Sequence, residues 1–312
     1  MKIAALIAAA GLSSRMGSFK PLMKIGGLSS AERIVATMKS AGAGIVTVVT
    51  GCRAEELEKH LAGKDTVFLR NSAYESTEMF DSVRIGLEYL RDKCDLILFS
   101  PVDTPLFTIS TARRLTASGA DLAVPVCTGQ AGHPVLISAK AAERILAFTG
   151  EGGLRGAMES TGIPIQRIET DDPGVLLDAD TPEDLNALIA LHDRQMIRAS
   201  VSVSLSRDTP FLTESTALLL SIIKETGSVH TACQRTGISY SSGWQAIKRL
   251  EEQTGKRAVI RTRGGKDGGH SALTGDGEQL LSLFMLYREQ VSEQAERIYN
   301  RVFRGFFEEE AE

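Results

Sequence analysis

The sequence predicts two folded bodies: a mostly parallel α/β sheet with helices on both faces over residues 1–197, and a winged helix-turn-helix domain with a long final helix over residues 198–312. Three observations lead there. A chain of 312 residues exceeds what one ordinary core fills. Over residues 1–190, short apolar runs alternate with amphipathic stretches, the rhythm of strand–helix–strand units. Beyond about residue 198 this rhythm gives way to short helical patterns, glycine turns and a basic block.

The elements follow in order. Strand-like runs are Ile3–Ala8, Ile45–Thr50, Thr66–Leu69, Asp95–Ser100, Leu122–Val126, Pro134–Ile137 and Ile163–Ile168. Continuous Val/Ile/Leu runs mark strands covered on both faces. Amphipathic stretches lie between many of them: Ala31–Ser40, Ala54–Leu61, Ser82–Arg91 and Ala139–Ala147. Thr181-Pro182-Glu183-Asp184 starts a closing helix well, with a hydroxyl cap, proline in the first turn and acids near the positive dipole end. The core pattern lapses from about Asp193 to Pro210, although Val201–Leu205 alternates strictly and is expected as a strand of the second domain. A helix over Ser215–Glu225, two shorter helices and a glycine-rich hairpin come next. The final helix, from about Asp276, carries apolar residues at 280, 284, 287, 291, 298, 302 and 306. Two readings of that stripe stand: pairing between the subunits of a homodimer, or packing along its own domain.

Charge narrows the function classes. The net charge of −4 excludes a generally basic protein, yet Lys224–Lys266 holds nine Lys or Arg against three acids. The tail from Gly268 to Glu312 holds four Arg against nine acids. A local basic block suits phosphate contacts, which are themselves local. No apolar run approaches the roughly 20 residues of a membrane span, so no membrane partner is expected. The apolar start Met1–Ile7 runs straight into a glycine- and arginine-bearing loop and reads as a buried strand. Cys52, Cys94, Cys127 and Cys233 form no CxxC pair, which fits reduced thiols in a cytoplasm and no structural zinc.

The first strand feeds a loop, Ala9-Ala10-Gly11-Leu12-Ser13-Ser14-Arg15-Met16-Gly17-Ser18-Phe19-Lys20. Small residues such as Ala9, Ala10, Gly11 and Ser13 allow close backbone approach to a phosphate, and Arg15 and Lys20 supply cations for a triphosphate. Neither GxxxxGK[ST] nor GxGxxG is present. The stretch instead resembles the signature of nucleotidyltransferases that attach nucleotides to the molybdenum cofactor, a strand followed by A-[AG]-G-x-S-x-R-M-G-x-x-K. Every specified position is filled. The resemblance spans residues 1–190 and implies a Rossmann-like sheet. It also places a metal-binding aspartate in Pro101-Val102-Asp103-Thr104-Pro105, and it includes Gly132-His133-Pro134-Val135-Leu136 and the closing Asp178-Ala179-Asp180-Thr181-Pro182-Glu183-Asp184-Leu185.

Joining a phosphate to a nucleotide brings two polyanions together, so a Mg²⁺ ion held by carboxylates, with Lys and Arg clamps, lowers a largely electrostatic barrier. Arg15, Lys20 and Asp103 are therefore the expected catalytic residues. Asp103 follows a strand's C-terminal end, where ligands gather in open α/β sheets. Asp178 is the favoured second metal ligand; Asp180 is either a third ligand or a cap of the following helix. His133 is either part of the acceptor site or a packed core histidine. Met79 and Ser82 are retained from the family's turn before its central helix, where base or acceptor is held. Glu78 and Phe80 depart from it, which puts substrate preference or the level of activity in doubt.

In the second domain, Ser228 caps one helix, Gly237 ends it, and Ile238–Leu250 reads as the next. That is a helix-turn-helix pattern. Val259–Arg263 and the glycine-rich stretch through Lys266 make a basic wing. Ser239, Tyr240, Ser241, Ser242, Gln245, Lys248, Arg261, Arg263 and Lys266 are the expected contacts to double-stranded DNA, helix residues to base edges and wing cations to phosphates. The pattern over roughly 200–305 resembles the DNA-binding domain of the molybdate-responsive ModE-type regulator. Gln234 stands where that family commonly has lysine, so one phosphate contact is in doubt. The regulator's molybdate-binding module is not present in these residues, and the transferase domain is expected in its place.

The two resemblances converge on a nucleotidyltransferase that places CMP, in preference to GMP, on the phosphate of molybdopterin with loss of pyrophosphate. The resemblance implies CTP over GTP: its guanylyltransferases tend to read L-A-G-G in the loop and its cytidylyltransferases A-A-G. Ala10 thus stands at the first glycine of the pair, its methyl narrowing the space beside the base. A regulator whose transferase domain senses nucleotide or cofactor is the alternative, and another phosphate acceptor is a third reading.

Overall fold

The computed structural model describes residues 1–12, 19–192, 201–262 and 270–307. The chain divides into two compact units, Met1–Arg194 and Gln195–Glu312.

In the first unit the strands are β1 (Ile3–Ala9), β2 (Lys24–Ile25), β3 (Leu28–Ser29), β4 (Ile45–Thr50), β5 (Val67–Arg70), β6 (Leu96–Pro101), β7 (Leu122–Cys127), β8 (Gln130–Ala131), β9 (Val135–Ser138) and β10 (Ile165–Glu169). The helices are α1 (Ser30–Ser40), α2 (Ala54–His60), α3 (Met79–Leu90), α4 (Ile109–Thr116), α5 (Ala139–Leu146), α6 (Gly153–Ser160) and α7 (Pro182–His192). The main sheet runs β10-β7-β9-β6-β1-β4-β5, with β8 paired to β7. It is parallel except for β9, antiparallel to both β6 and β7, and the short β8.

Alternation along β1 explains the three layers, because successive side chains leave a strand on opposite faces. Ala5, Ile7 and Ala9 join one core with Ile34 and Met38 of α1, Leu57 of α2 and Leu115 of α4. Ala4, Leu6 and Ala8 join the other with Leu87 of α3, Ile145 of α5 and Ala157 of α6. α7 seals the end of the unit, its Leu188 packing with Ile25, Leu106 and Ala179. As the sequence suggests, Thr181 caps α7: its hydroxyl accepts from the Asp184 N–H at 3.2 Å, and its own N–H donates to the Asp184 carboxylate at 2.8 Å.

α3 starts three residues before the expected Ser82, because the Glu78 N–H donates to the Asp81 carboxylate at 2.9 Å and sets the first turn there. α4 and α6 are additions to the sequence reading. α4 is capped by Thr108, whose hydroxyl accepts from the Thr111 N–H at 3.2 Å.

The second unit contains β11 (Ser204–Ser206), β12 (Pro210–Thr213), α8 (Glu214–Thr226), α9 (Val229–Thr236), α10 (Tyr240–Thr254), β13 (Val259–Thr262), β14 (His270–Leu273) and α11 (Gly275–Phe307). β11 begins later than the alternation at Val201 suggests: the Val203 N–H donates to the Glu214 carboxylate at 3.2 Å, and only Ser204–Ser206 pair with β12. α9 and α10 make the helix-turn-helix, with Gly237 in the left-handed conformation between them. Gly243 lets the two helices touch, since a Cβ there would stand 2.3 Å from the Cys233 sulfur. β13 and β14 form the antiparallel stem of the wing. α11 has 33 residues. Phe284 is buried, while Leu283, Leu286, Tyr287, Ile298, Val302 and Phe303 are exposed. No helix among the described residues is long and apolar enough to cross a membrane.

Candidate functional site

β1 lies where the chain's direction of growth across the sheet reverses, with β4 on one side and β6 on the other. Ligands in open α/β sheets bind outside the strand ends at such a point. Register then brings two expected residues together. Ala8 is level with Pro101, and the Val102 N–H donates to the Ala8 carbonyl at 3.0 Å. Ala10 and Asp103, each two residues further on, therefore emerge side by side from neighbouring strands. The Ala10 carbonyl also accepts from the Cys52 N–H at 3.1 Å. Its Cβ lies 2.9 Å from where a Cβ on Gly51 would stand, so the Ala10 methyl abuts the turn after β4.

The segment before α7 closes the crevice. The Ala179 N–H donates to the Asp103 carbonyl at 2.9 Å, holding Asp178 and Asp180 beside Asp103. Lys20 reaches into this group: its ammonium is 3.4 Å from the Asp103 carboxylate and donates to that of Asp180. The Lys20 side chain is only 12% exposed, against 27% for Asp103 and 36% for Asp180, so the cation is enclosed while its partners face outward. Burial opposes the lysine charge, but the bonds to Asp180 and the charge of Asp103 outweigh it and hold the Lys20 pKa above the ordinary value. Partial desolvation, then repulsion from Asp180 and Asp103, pushes the Asp178 carboxyl up.

The three expected metal ligands, Asp103, Asp178 and Asp180, lie at this one crevice. Among the described residues no three His, Cys, Asp or Glu side chains converge as a metal cage. Asp178 lies close enough to feel the charge of the other two, and one ammonium joins the pair Asp103 and Asp180. That pair still fits Mg²⁺, which takes one or two carboxylates and completes its shell with water and substrate phosphates.

His133 lies on the same rim. Its N–H donates to the Val175 carbonyl at 2.9 Å, and a Cβ on Gly132 would stand 2.1 Å from that carbonyl oxygen, so the preceding residue must be glycine. The ring meets Phe99 edge-on at 5.8 Å, and its Nδ1 is buried without a hydrogen-bond partner. Burial pushes its pKa down to about 4, against the pull of Asp103, so the imidazole is neutral near pH 7.

Two nucleotide-site expectations part company. Met79 is exposed, at 53%. Ser82 is 3% exposed and its hydroxyl accepts from the Asn71 amide at 3.0 Å, so it braces the turn before α3. Asn71 organises that turn, donating also to Thr77 at 2.9 Å and accepting from the Ala73 N–H at 3.0 Å. The sequence reading missed it; its signal was an Asn directly after a strand. The substituted positions also have local roles. Glu78 begins α3, and the Phe80 ring packs on Phe148 at 6.3 Å. Ser13 and Arg15 lie outside the described residues.

In the second unit, Ser239 caps α10 by accepting from the Ser242 N–H at 3.1 Å, and its hydroxyl also bonds those of Ser241 and Ser242. Ser241, Gln245 and Lys248 are exposed, and their spacing places them on one helix face. The Arg261 guanidinium lies 3.7 Å over the Trp244 ring and donates to the Tyr240 hydroxyl at 2.7 Å, tying the wing strand to α10. Trp244, the only tryptophan, stands one helical turn after Tyr240. Arg263 and Lys266 lie outside the described residues.

Comparisons with known proteins agree with this division. The MobA-like NTP transferase domain model matches residues 5–168, and that of the bacterial regulatory helix-turn-helix protein, lysR family, matches residues 218–278. The molybdenum cofactor cytidylyltransferase of Escherichia coli (strain K12) is 25% identical over 182 residues, 57% of this chain and 91% of that protein. The transcriptional regulator ModE of Yersinia pestis is 41% identical over 68 residues, 22% of this chain, and the chain spans about a quarter (26%) of that regulator's length. Among solved structures, a nucleotidyl transferase from Methanothermobacter thermautotroptrophicus superposes with a TM-score of 0.55 at 26% identity, covering 62% of this chain and 98% of that one.

Proposed function

This chain belongs to the MobA-like NTP transferase family, and from that premise we propose that it transfers CMP from CTP to the phosphate of molybdopterin, releasing pyrophosphate, and binds double-stranded DNA through its second unit. The observation that carries the transfer reading is the meeting of Lys20, Asp103 and Asp180 at the strand-end crevice. Asp103 and Asp180 would hold Mg²⁺, which supplies Lewis acidity and charge neutralisation at the phosphates when bound. Lys20 and Arg15 would bind and orient the triphosphate, and the neutral His133 would face the acceptor. The cytidylyltransferase similarity supports CTP over GTP. Measuring pyrophosphate release with CTP and with GTP, each with and without molybdopterin, tests the assignment. We expect roughly 10- to 200-fold better use of CTP, the scale of steric discrimination in a close-packed pocket. Equal or better use of GTP sinks the base preference, and indifference to molybdopterin sinks the acceptor.

The DNA reading rests on the exposed face of Ser241, Gln245 and Lys248 beside the wing, and on the match to a regulatory helix-turn-helix. It requires the chain to bind duplex DNA in a salt-dependent way. The exposed apolar residues of α11 support a homodimer, which sedimentation across a concentration series checks. The regulatory unit also favours a second reading, in which the first unit senses nucleotide. Nucleotide binding without turnover would select that reading.

A further inference from the structure

The crevice contains an arrangement that phosphoryl chemistry alone does not call for: the cation expected to bind phosphates is engaged with the carboxylates expected to bind metal. The Lys20 ammonium is enclosed by Asp103 at 3.4 Å and by Asp180, with Asp178 contributing a third nearby charge. A divalent ion entering this group must compete with the ammonium for the same oxygens, and the two cations repel at a separation of a few ångströms. The lysine can leave only if it finds another anion, and a triphosphate is one. Backbone geometry favours such a handover. Asp103 and the 178–180 segment are tied by the Ala179–Asp103 hydrogen bond, whereas Lys20 enters from a different stretch of chain, at the start of a short 3₁₀ turn. The carboxylates stay in place while the lysine side chain, with four rotatable carbons, turns towards the phosphates.

We propose that Lys20 stands in for the divalent cation before nucleotide binds, so that the metal position between Asp103 and Asp180 becomes available only as the triphosphate draws the lysine away. This deepens the transferase reading and rests on it for the identity of the nucleotide. Its consequence is strong positive coupling between metal and NTP, which by linkage must be equal in both directions. It also sets an order: the enzyme without nucleotide binds metal poorly, and the metal arrives with the triphosphate.

The test is a titration of the full chain with Mn²⁺, followed by electron paramagnetic resonance, with and without a CTP analogue carrying a methylene bridge between its α and β phosphorus atoms. Wild type should bind Mn²⁺ weakly alone and roughly 5- to 150-fold more tightly with the analogue, the usual span of such couplings. Lys20→Met should bind Mn²⁺ alone at least about fivefold more tightly than wild type, with a correspondingly smaller gain from the analogue. Lys20→Gln should behave likewise and serves if the methionine variant does not fold, as judged by circular dichroism. Lys20→Arg, which keeps the charge, should stay near wild type. Mn²⁺ affinity unchanged or weakened in the neutral variants without nucleotide overturns the proposal. If the chain binds no nucleotide, the analogue arm is flat in every protein and the transferase reading fails, while the nucleotide-free comparison still judges the role of Lys20.

Discussion

In the first unit the Lys20 ammonium is drawn in among carboxylates; in the second, the Arg261 guanidinium lies exposed across the Trp244 ring. The partner accounts for the difference. Carboxylates hold a cation by charge and release it when a stronger anion arrives. An aromatic face holds a guanidinium by quadrupole and dispersion, and leaves its N–H groups available to phosphates. The first arrangement suits a site that must rearrange on binding, and the second suits a surface that meets a regular polyanion already in its final form.

The sharpest way to break this comparison is at Asp103. Asp103→Ala should lower turnover by at least roughly 100-fold, the scale of losing a group that stabilises transferring charge, with the circular dichroism spectrum and DNA affinity unchanged. Undiminished turnover in a folded variant would remove Asp103 from the site.

Gly243→Ala probes the second unit alone. Its methyl meets the Cys233 sulfur, so overpacking should destabilise that unit by about 1–3 kcal/mol, read from the near-ultraviolet signal of Trp244 during urea unfolding. Pyrophosphate release should be untouched; its loss would mean that the two units depend on each other.

Arg261→Ala should weaken binding to all DNA sequences alike and reduce the slope of log affinity against log salt by about one unit. The same change should shift Trp244 emission, because the guanidinium leaves the ring. A change of sequence preference instead would assign Arg261 to base reading.

A further expectation concerns His133. Its folded-state value, about 4, lies below the ordinary 6.5. Between those values the unfolded chain takes up a proton that the folded chain does not, so stability is fully present above about 6.5 and falls as the pH drops towards 4. His133→Asn should flatten that part of the pH dependence of the urea midpoint. An unchanged profile would place the imidazole in a more polar setting than its buried, unpartnered Nδ1 implies.

The two units also differ in how far the sequence discloses them. The helix-turn-helix is local: the Ser228 cap, the Gly237 turn and the Ser239 cap all read directly along the chain. Most of the longer strands of the sheet were legible as well, since burial on both faces leaves unbroken apolar runs; the edge strand β10 is largely exposed and lacks one. The crevice was legible only through motifs, because its members are 83 and 160 residues from Lys20 and meet through strand register. No local pattern announces that Asp180, and not Asp178, pairs with the lysine. Nor does composition reveal that Ser82 turns to Asn71, a partner eleven residues away.

The lone antiparallel strand of any length in the sheet, β9, has an effect on how this crevice can change. Every other contributor to the rim is a loop leaving a strand, but His133 stands on a loop entering one. Adding residues at the exposed turn of Thr128 and Gly129 lengthens the rim without disturbing either core. Deleting one residue within β9 would exchange Leu136 with Val135 and Ile137 between the two layers. The wall beside His133 can therefore change its reach at this exposed turn, where an insertion meets solvent and not a packed layer.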